Sequence, residues 1–183
     1  MKKGIFGCIL FLMVSVVVNA QLPENSMSWQ ENLLEWSDFR GKPQLHNSFH
    51  ANTTSGISYS WSLKTSEEGK EFVFSVESYF FPEGSWVKPG KTSENLLAHE
   101  QLHFDITELH ARKLRSQLQE FNPEKVKDIK KALREIYQKI EAERAHMQQK
   151  FDVETRHSQN AEAQLKWQEV VRLELGKYEE FSS

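Results

Sequence analysis

The sequence predicts an α+β fold, and three observations carry the prediction. Residues 57–63 and 72–76 alternate apolar with other residues on either side of a glycine-containing turn. From Ser93 to about Gln119 the apolar residues switch to helical spacing. Two further helical stretches follow, as far as Phe181. The arrangement expected is a small antiparallel sheet, then a long helical hairpin, then a C-terminal helix.

The first twenty residues are read apart from the fold. Lys2 and Lys3 precede an apolar run from Ile5 to Val18, and Val18-Asn19-Ala20 ends it with a small-residue cleavage pattern. This is the pattern of a secretory signal peptide, too short for a membrane span. Cys8, the chain's one cysteine, lies inside the run, so it suits neither a lipid-anchor site nor a disulfide. Removing residues 1–20 leaves a single domain, 21–183, with 21 Lys and Arg against 26 Asp and Glu. That acidic balance argues against nucleic acid as a partner. No second long apolar run exists, so no membrane span is expected in the mature chain, and its place would be periplasmic or extracellular.

Within the domain, Trp29, Leu33, Leu34, Trp36 and Phe39 precede the turn-like Gly41-Lys42-Pro43. Ile57, Tyr59, Trp61 and Leu63 alternate with serines, and Phe72, Phe74 and Val76 alternate after the turn at Ser66–Lys70, which makes a hairpin. Pro82, Gly84 and Pro89-Gly90 end it. Ser93 is the expected N-cap of the first helix. Asn122-Pro123-Glu124 restarts a second helix, with Val126, Ile129, Leu133, Ile136, Ile140 and Met147 at 3/4 spacing to about Phe151. The third spans about Ala161 to Phe181 and carries Leu165, Trp167, Val170, Val171, Leu175 and Tyr178.

The first helix contains His99-Glu100-Gln101-Leu102-His103, an HExxH motif. Residues i and i+4 are about 40° apart around a helix and about 6 Å apart along it, so both imidazoles can reach one ion. Zinc, with Zn–N of about 2.0–2.1 Å, is the metal such a pair suits. Glu100 lies about 100° round the helix, placed to act as general base toward water activated by the ion. An apolar lead-in, a secretory signal and a hairpin just upstream support this over a solvated helix face. The fold expected is then zincin-like, and the function a secreted zinc-dependent peptidase acting on a peptide or protein. The rival expectation is a non-catalytic periplasmic binding or scaffold protein with a structural or vestigial metal site.

Leu97 to Ile106 with Ala111-Arg112-Lys113-Leu114 resembles the active helix of the predicted secreted zinc-dependent protease family of bacteria. Trp36-Ser37-Asp38-Phe39-Arg40-Gly41 resembles that family's W-x-D-F-x-G element, and Phe151 to Ser158 its Y-D-x-x-T-x-H-G element. The chain departs from the pattern with Phe151 for Tyr and Ser158 for Gly.

A catalytic zinc needs a third protein ligand. Glu108 and His110 sit too far along the same helix; His110 is roughly 10 Å past His103. Glu143 has a geometric case, because a hairpin pivoting at Asn122 sets it level with Gln101. His157 has the resemblance case, since it falls in the T-x-H element. If the helix ends near Val153, four or five extended residues span roughly 15 Å and can bring His157 back to the ion. The ligand set favoured is His99, His103 and His157. Glu143 and Asp152 stand as second-shell or alternative ligands, and Asp152 is cast as an acceptor orienting an imidazole. His46, His50 and His146 have no partner at ligand spacing, and Trp86 is expected in the core.

Overall fold

The structure is a computed structural model that describes residues 15–18, 22–30, 33–66 and 69–182. The cleavage site expected at Ala20 lies outside the described residues. So does most of the apolar run, but Ser15–Val18 (β1) pairs antiparallel with the edge of the hairpin in the full chain, Val18 opposite Trp61.

Strands β2 (Met27–Ser28), β3 (Ala51–Asn52), β4 (Ser55–Ser66), β5 (Gly69–Phe80) and β6 (Trp86–Val87) follow. The main sheet has the order β1-β4-β5-β2, and β3 and β6 form a separate two-stranded ribbon. The predicted hairpin is β4–β5. Its register sets Tyr59 opposite Val76, Trp61 opposite Phe74 and Leu63 opposite Phe72, so the apolar members of both strands share one face. Gly69, at φ +132°, opens β5 in a conformation that favours glycine.

Three helices follow, α1 (Glu94–Gln119), α2 (Ile129–Thr155) and α3 (Ala161–Lys177); α1 and α2 pack on that face, and α3 packs on α1 and α2. Ser93 caps α1 as expected, its side chain accepting from Leu96 N at 3.2 Å. The second helix starts later than the sequence suggests. Asn122 caps only a 3-10 turn, Pro123–Lys125, after which Val126 is extended and Asp128 caps α2 through Lys131 N. Two capping side chains six residues apart compete, and the β-branched Val126 between them favours the break. The third helix ends at Lys177, with a 3-10 turn at Glu179–Phe181. Trp167 and Val171 are buried as expected, whereas Leu165 and Val170 face solvent.

The central helix α1 is buried on nearly every side. Ala111, Leu114 and Leu118 pack with Ile57, Trp61 and Val76 of the sheet and Leu133 and Ile140 of α2. Leu102 and Ile106 pack with Phe151, Trp167 and Val171. Phe104 joins Leu34, Phe39 and Phe80. Polar groups on α1 are buried with these. Glu108 accepts from Ser78 Oγ (2.6 Å), Arg112 Nε (2.9 Å) and Arg115 Nη1 (3.0 Å). The two guanidiniums then hold the C-terminal segment, Arg112 through Leu175 O, Glu179 and Ser182, and Arg115 through Phe181 O. Glu108, weighed and set aside as a metal ligand, is thus a structural anion.

His110 is buried against α2, with Nδ1 donating to Ile106 O at 2.8 Å. Burial pushes its pKa from 6.5 down to about 4, against the Ile106 carbonyl; Lys113 and Arg144 add to the depression and Glu141 opposes it. The unfolded chain binds this proton more tightly, so the stability that neutral His110 contributes is present above pH ~6.5 and is lost as pH falls toward 4. Urea unfolding of wild type should therefore lose up to about 3 kcal/mol over that window from this group. His110→Gln should flatten that part of the pH dependence; an unchanged slope would contradict the assignment.

Candidate metal centre

One turn of α1 presents His99 and His103 on the same side, and α2 runs antiparallel to it there. Asp152 of α2 meets both imidazoles. His99 Nε2 lies 3.2 Å and His103 Nε2 3.1 Å from Asp152 Oδ1, and the two nitrogens are 3.3 Å apart. A tetrahedron with metal–ligand bonds of about 2.0–2.1 Å has edges of about 3.3–3.4 Å. The three atoms therefore form one face of a tetrahedron of the size zinc requires, and His99, His103 and Asp152 could hold a metal ion.

The electrostatics agree with a cation site. Burial pushes His103 down, but the hydrogen bond and charge of Asp152 and the charge of Glu100 outweigh it and hold the imidazole above its ordinary value. Burial pushes the Asp152 carboxyl up, but hydrogen bonds and charge from His103 and His99 hold it well below the usual carboxylate range. Two imidazole lone pairs and a carboxylate oxygen converge on one point, and a positive charge there relieves their mutual repulsion.

Neighbouring groups fix the ligands. Gln148, one turn before Asp152, accepts from His103 Nδ1 through Oε1, and its amide donates to His103 O at 2.9 Å. A protonated Nδ1 leaves the Nε2 lone pair free for an ion. Phe151, fully buried, lies against both imidazoles, with ring centroids 4.4 Å from His99 and 5.0 Å from His103. His99 Nδ1 is buried with no hydrogen-bond partner among the described residues. Glu100 lines the same cleft as the His pair. Thr53, in the link between β3 and β4, donates to Glu100 Oε2 at 2.8 Å.

His99, Glu100, His103, Gln148, Asp152 and Thr53 line one cleft of about 520 Å³, between residues 48–55 and α2, with α1 as its floor. His157 also lines it, but outside the triangle. Its Nδ1 is 3.4 Å from Asp152 Oδ1 and its ring packs on Phe49 at 4.5 Å. The chain does turn back after α2, later than expected. Arg156, His157 and Ser158 all adopt positive φ (51°, 51° and 70°), and His157 N caps the helix by donating to Asp152 O at 2.9 Å. Such a left-handed run is costly for residues with a Cβ.

The geometry thus reorders the sequence-based ligands: Asp152 is at ligand distance and His157 one step behind it. Glu143 is not brought to the pair; it lies on the outer surface of α2, near Lys139. The cross-helix partners His103–Gln148 and His99–Asp152 are centred between residues 125 and 126. The pivot is therefore three to four residues later than Asn122, which moves the position level with the motif seven residues past Glu143. Sequence reasoning missed Thr53 and Gln148. Gln148 is legible only in retrospect, four residues before Asp152; Thr53 carries no local signal.

A family model described as a bacterial protein of unknown function (DUF922) matches residues 83–158. That window contains His99, Glu100, His103, Gln148, Asp152 and His157, ends at the left-handed turn, and omits Thr53 and the hairpin. No curated protein and no solved structure matches the chain.

Equilibrium dialysis against zinc should rank the side chains. Asp152→Asn should weaken binding at least as much as loss of one motif histidine, whereas His157→Ala should weaken it by less than about tenfold, the lower end of the usual second-sphere effect. The reverse ranking would return the third position to His157.

Proposed function

We propose that this chain is a zinc-dependent peptidase, exported by its N-terminal segment and acting outside the cytoplasm. The observation that carries the reading is the triangle of His99, His103 and Asp152 beside a buried carboxylate, Glu100, in an open cleft. Three protein donors, the number found among the described residues, suit a catalytic zinc; a structural site is closed by four. That count favours hydrolysis over the scaffold reading. Bound there, zinc supplies a Lewis acid and lowers the pKa of a coordinated water toward ~7.

The chain's own residues do the rest. Glu100 accepts the proton of the attacking water at a carboxylate oxygen and passes it to the departing amine, as general base and then general acid. Thr53 holds that carboxylate, so its orientation is fixed before substrate arrives. Gln148 and Phe151 keep His103 in one tautomer and one rotamer. The lining of the cleft runs along α2 from Arg144 to Asp152, about 12 Å, the span of three to four residues of extended peptide.

Glu100→Gln tests the assignment. Gln is nearly isosteric and still accepts from Thr53 through its amide oxygen, but it cannot take a proton. Zinc content should be unchanged while cleavage of a mixed peptide library, read by mass spectrometry, falls at least ~100-fold. Equal cleavage by the variant would remove Glu100 from the mechanism. A zinc-loaded wild type that cleaves no peptide would favour the scaffold reading.

A further inference from the structure

The cleft has a direction. Along α2 the residues facing it are Asp152, Gln148 and Arg144, spaced one turn apart. Seven residues before Arg144, Tyr137 donates to Ile57 O at 3.2 Å and its ring stacks on Tyr59 at 4.8 Å. Strand β4 and helix α2 meet there, about 10 Å further along α2 than Arg144, so the two walls of the cleft converge toward that end. At the opposite end the exposed Phe49, His157 and Gln159 stand at its rim.

Arg144 is the one Lys or Arg among the described residues lining the cleft, and its side chain is largely buried, 18% exposed. Glu141 binds two of its donors, through Nε at 3.0 Å and Nη2 at 2.7 Å. That bidentate pair fixes the plane of the guanidinium. Arg144 Nη1 has no acceptor among the described residues, which leaves N–H groups for a ligand. A guanidinium has five N–H donors, and its rigid fork matches a carboxylate.

We infer that Arg144 anchors a carboxylate of the substrate at the converging end of the cleft. This rests on the peptidase reading and names its substrate class. Arg144 is eight residues from Asp152, about 12 Å along the helix, which is three to four residues of extended peptide. A chain that runs from the metal centre to a converging end carrying a cation is one that terminates there. The carboxylate is thus the C-terminal one, and hydrolysis at the centre releases fragments of about three or four residues from the substrate's C-terminus. An Asp or Glu side chain at the same distance offers the same chemistry and is the other source to separate.

The test is binding, read by calorimetry on the zinc-loaded mature chain carrying Glu100→Gln so that turnover does not consume the probe. The probes are a mixed hexapeptide library of uncharged side chains with a free C-terminal carboxylate, the same library amidated, and an amidated library with one Glu three or four residues from the site of cleavage. The free-acid library should bind at least about tenfold more tightly than the amide, as expected for a charge-assisted hydrogen bond. Adding Arg144→Gln should bring the two within twofold. Arg144→Lys, which keeps the charge and a partner for Glu141, should retain part of the preference, and Glu141→Gln should preserve or increase it. If the amidated Glu library binds as tightly as the free acid, the side chain is the source and the terminal assignment falls. No acid preference, a preference that survives Arg144→Gln, or no binding of any library overturns the anchor. The peptidase reading fails separately, if zinc-loaded wild type binds the free-acid library but leaves it uncut.

Discussion

Everything in this molecule depends on α1 being buried while it carries charged and polar side chains on most of its faces. A buried polar group without a partner costs on the order of a hydrogen bond or more, so each neighbour of α1 is placed by what it satisfies. The C-terminal segment closes over Arg112 and Arg115, which Glu108 holds in place. The N-terminal segment is held by Gln101, which accepts from Leu34 N, and by Asp105, which accepts from Trp29 Nε1. Burial raises the Asp105 pKa despite these bonds, a sign of how little solvent reaches that face. At His99 and His103 the partner is Asp152, and the group best able to satisfy all three at once is a cation.

That same burial makes the site exact. Phe151 is at once a core residue, packed on Trp167, and the wall against both imidazoles. Gln148 joins His103 to Thr107, whose hydroxyl meets Ser55 at the start of β4. Thr53, two residues earlier, reaches Glu100. Sheet, α1 and α2 therefore meet through one hydrogen-bonded row beneath the cleft, and none can shift without moving a proposed catalytic group. The strained turn at Arg156–Ser158 flanks the other end, held where Asn95 donates to Ser158 O at 2.7 Å.

Much of this was legible in the sequence, and where it was not, the reason is physical. Period-2 alternation placed the hairpin with its apolar face correctly, because Tyr59, Trp61 and Leu63 stand opposite Val76, Phe74 and Phe72. The Ser93 cap placed the start of α1 to the residue, since a cap is a local interaction. The carboxylate that meets the two imidazoles was not local. Its identity depends on the register of two antiparallel helices, and a few residues of irregular chain after Asn122 shift that register by two turns, from Glu143 toward Asp152. The chemistry of Asp152 was recognised, but its distance could not be. Thr53 was invisible for the same reason: 47 residues separate it from the carboxylate it holds.

The most direct test of the account is zinc K-edge absorption spectroscopy on the purified mature chain, loaded with one equivalent of zinc. The account predicts two imidazole nitrogens, one carboxylate oxygen and one exchangeable oxygen from water, with bonds of about 2.0–2.2 Å, and loss of the carboxylate contribution in Asp152→Asn. Three imidazoles with no carboxylate, or four protein ligands with no exchangeable position, would contradict it.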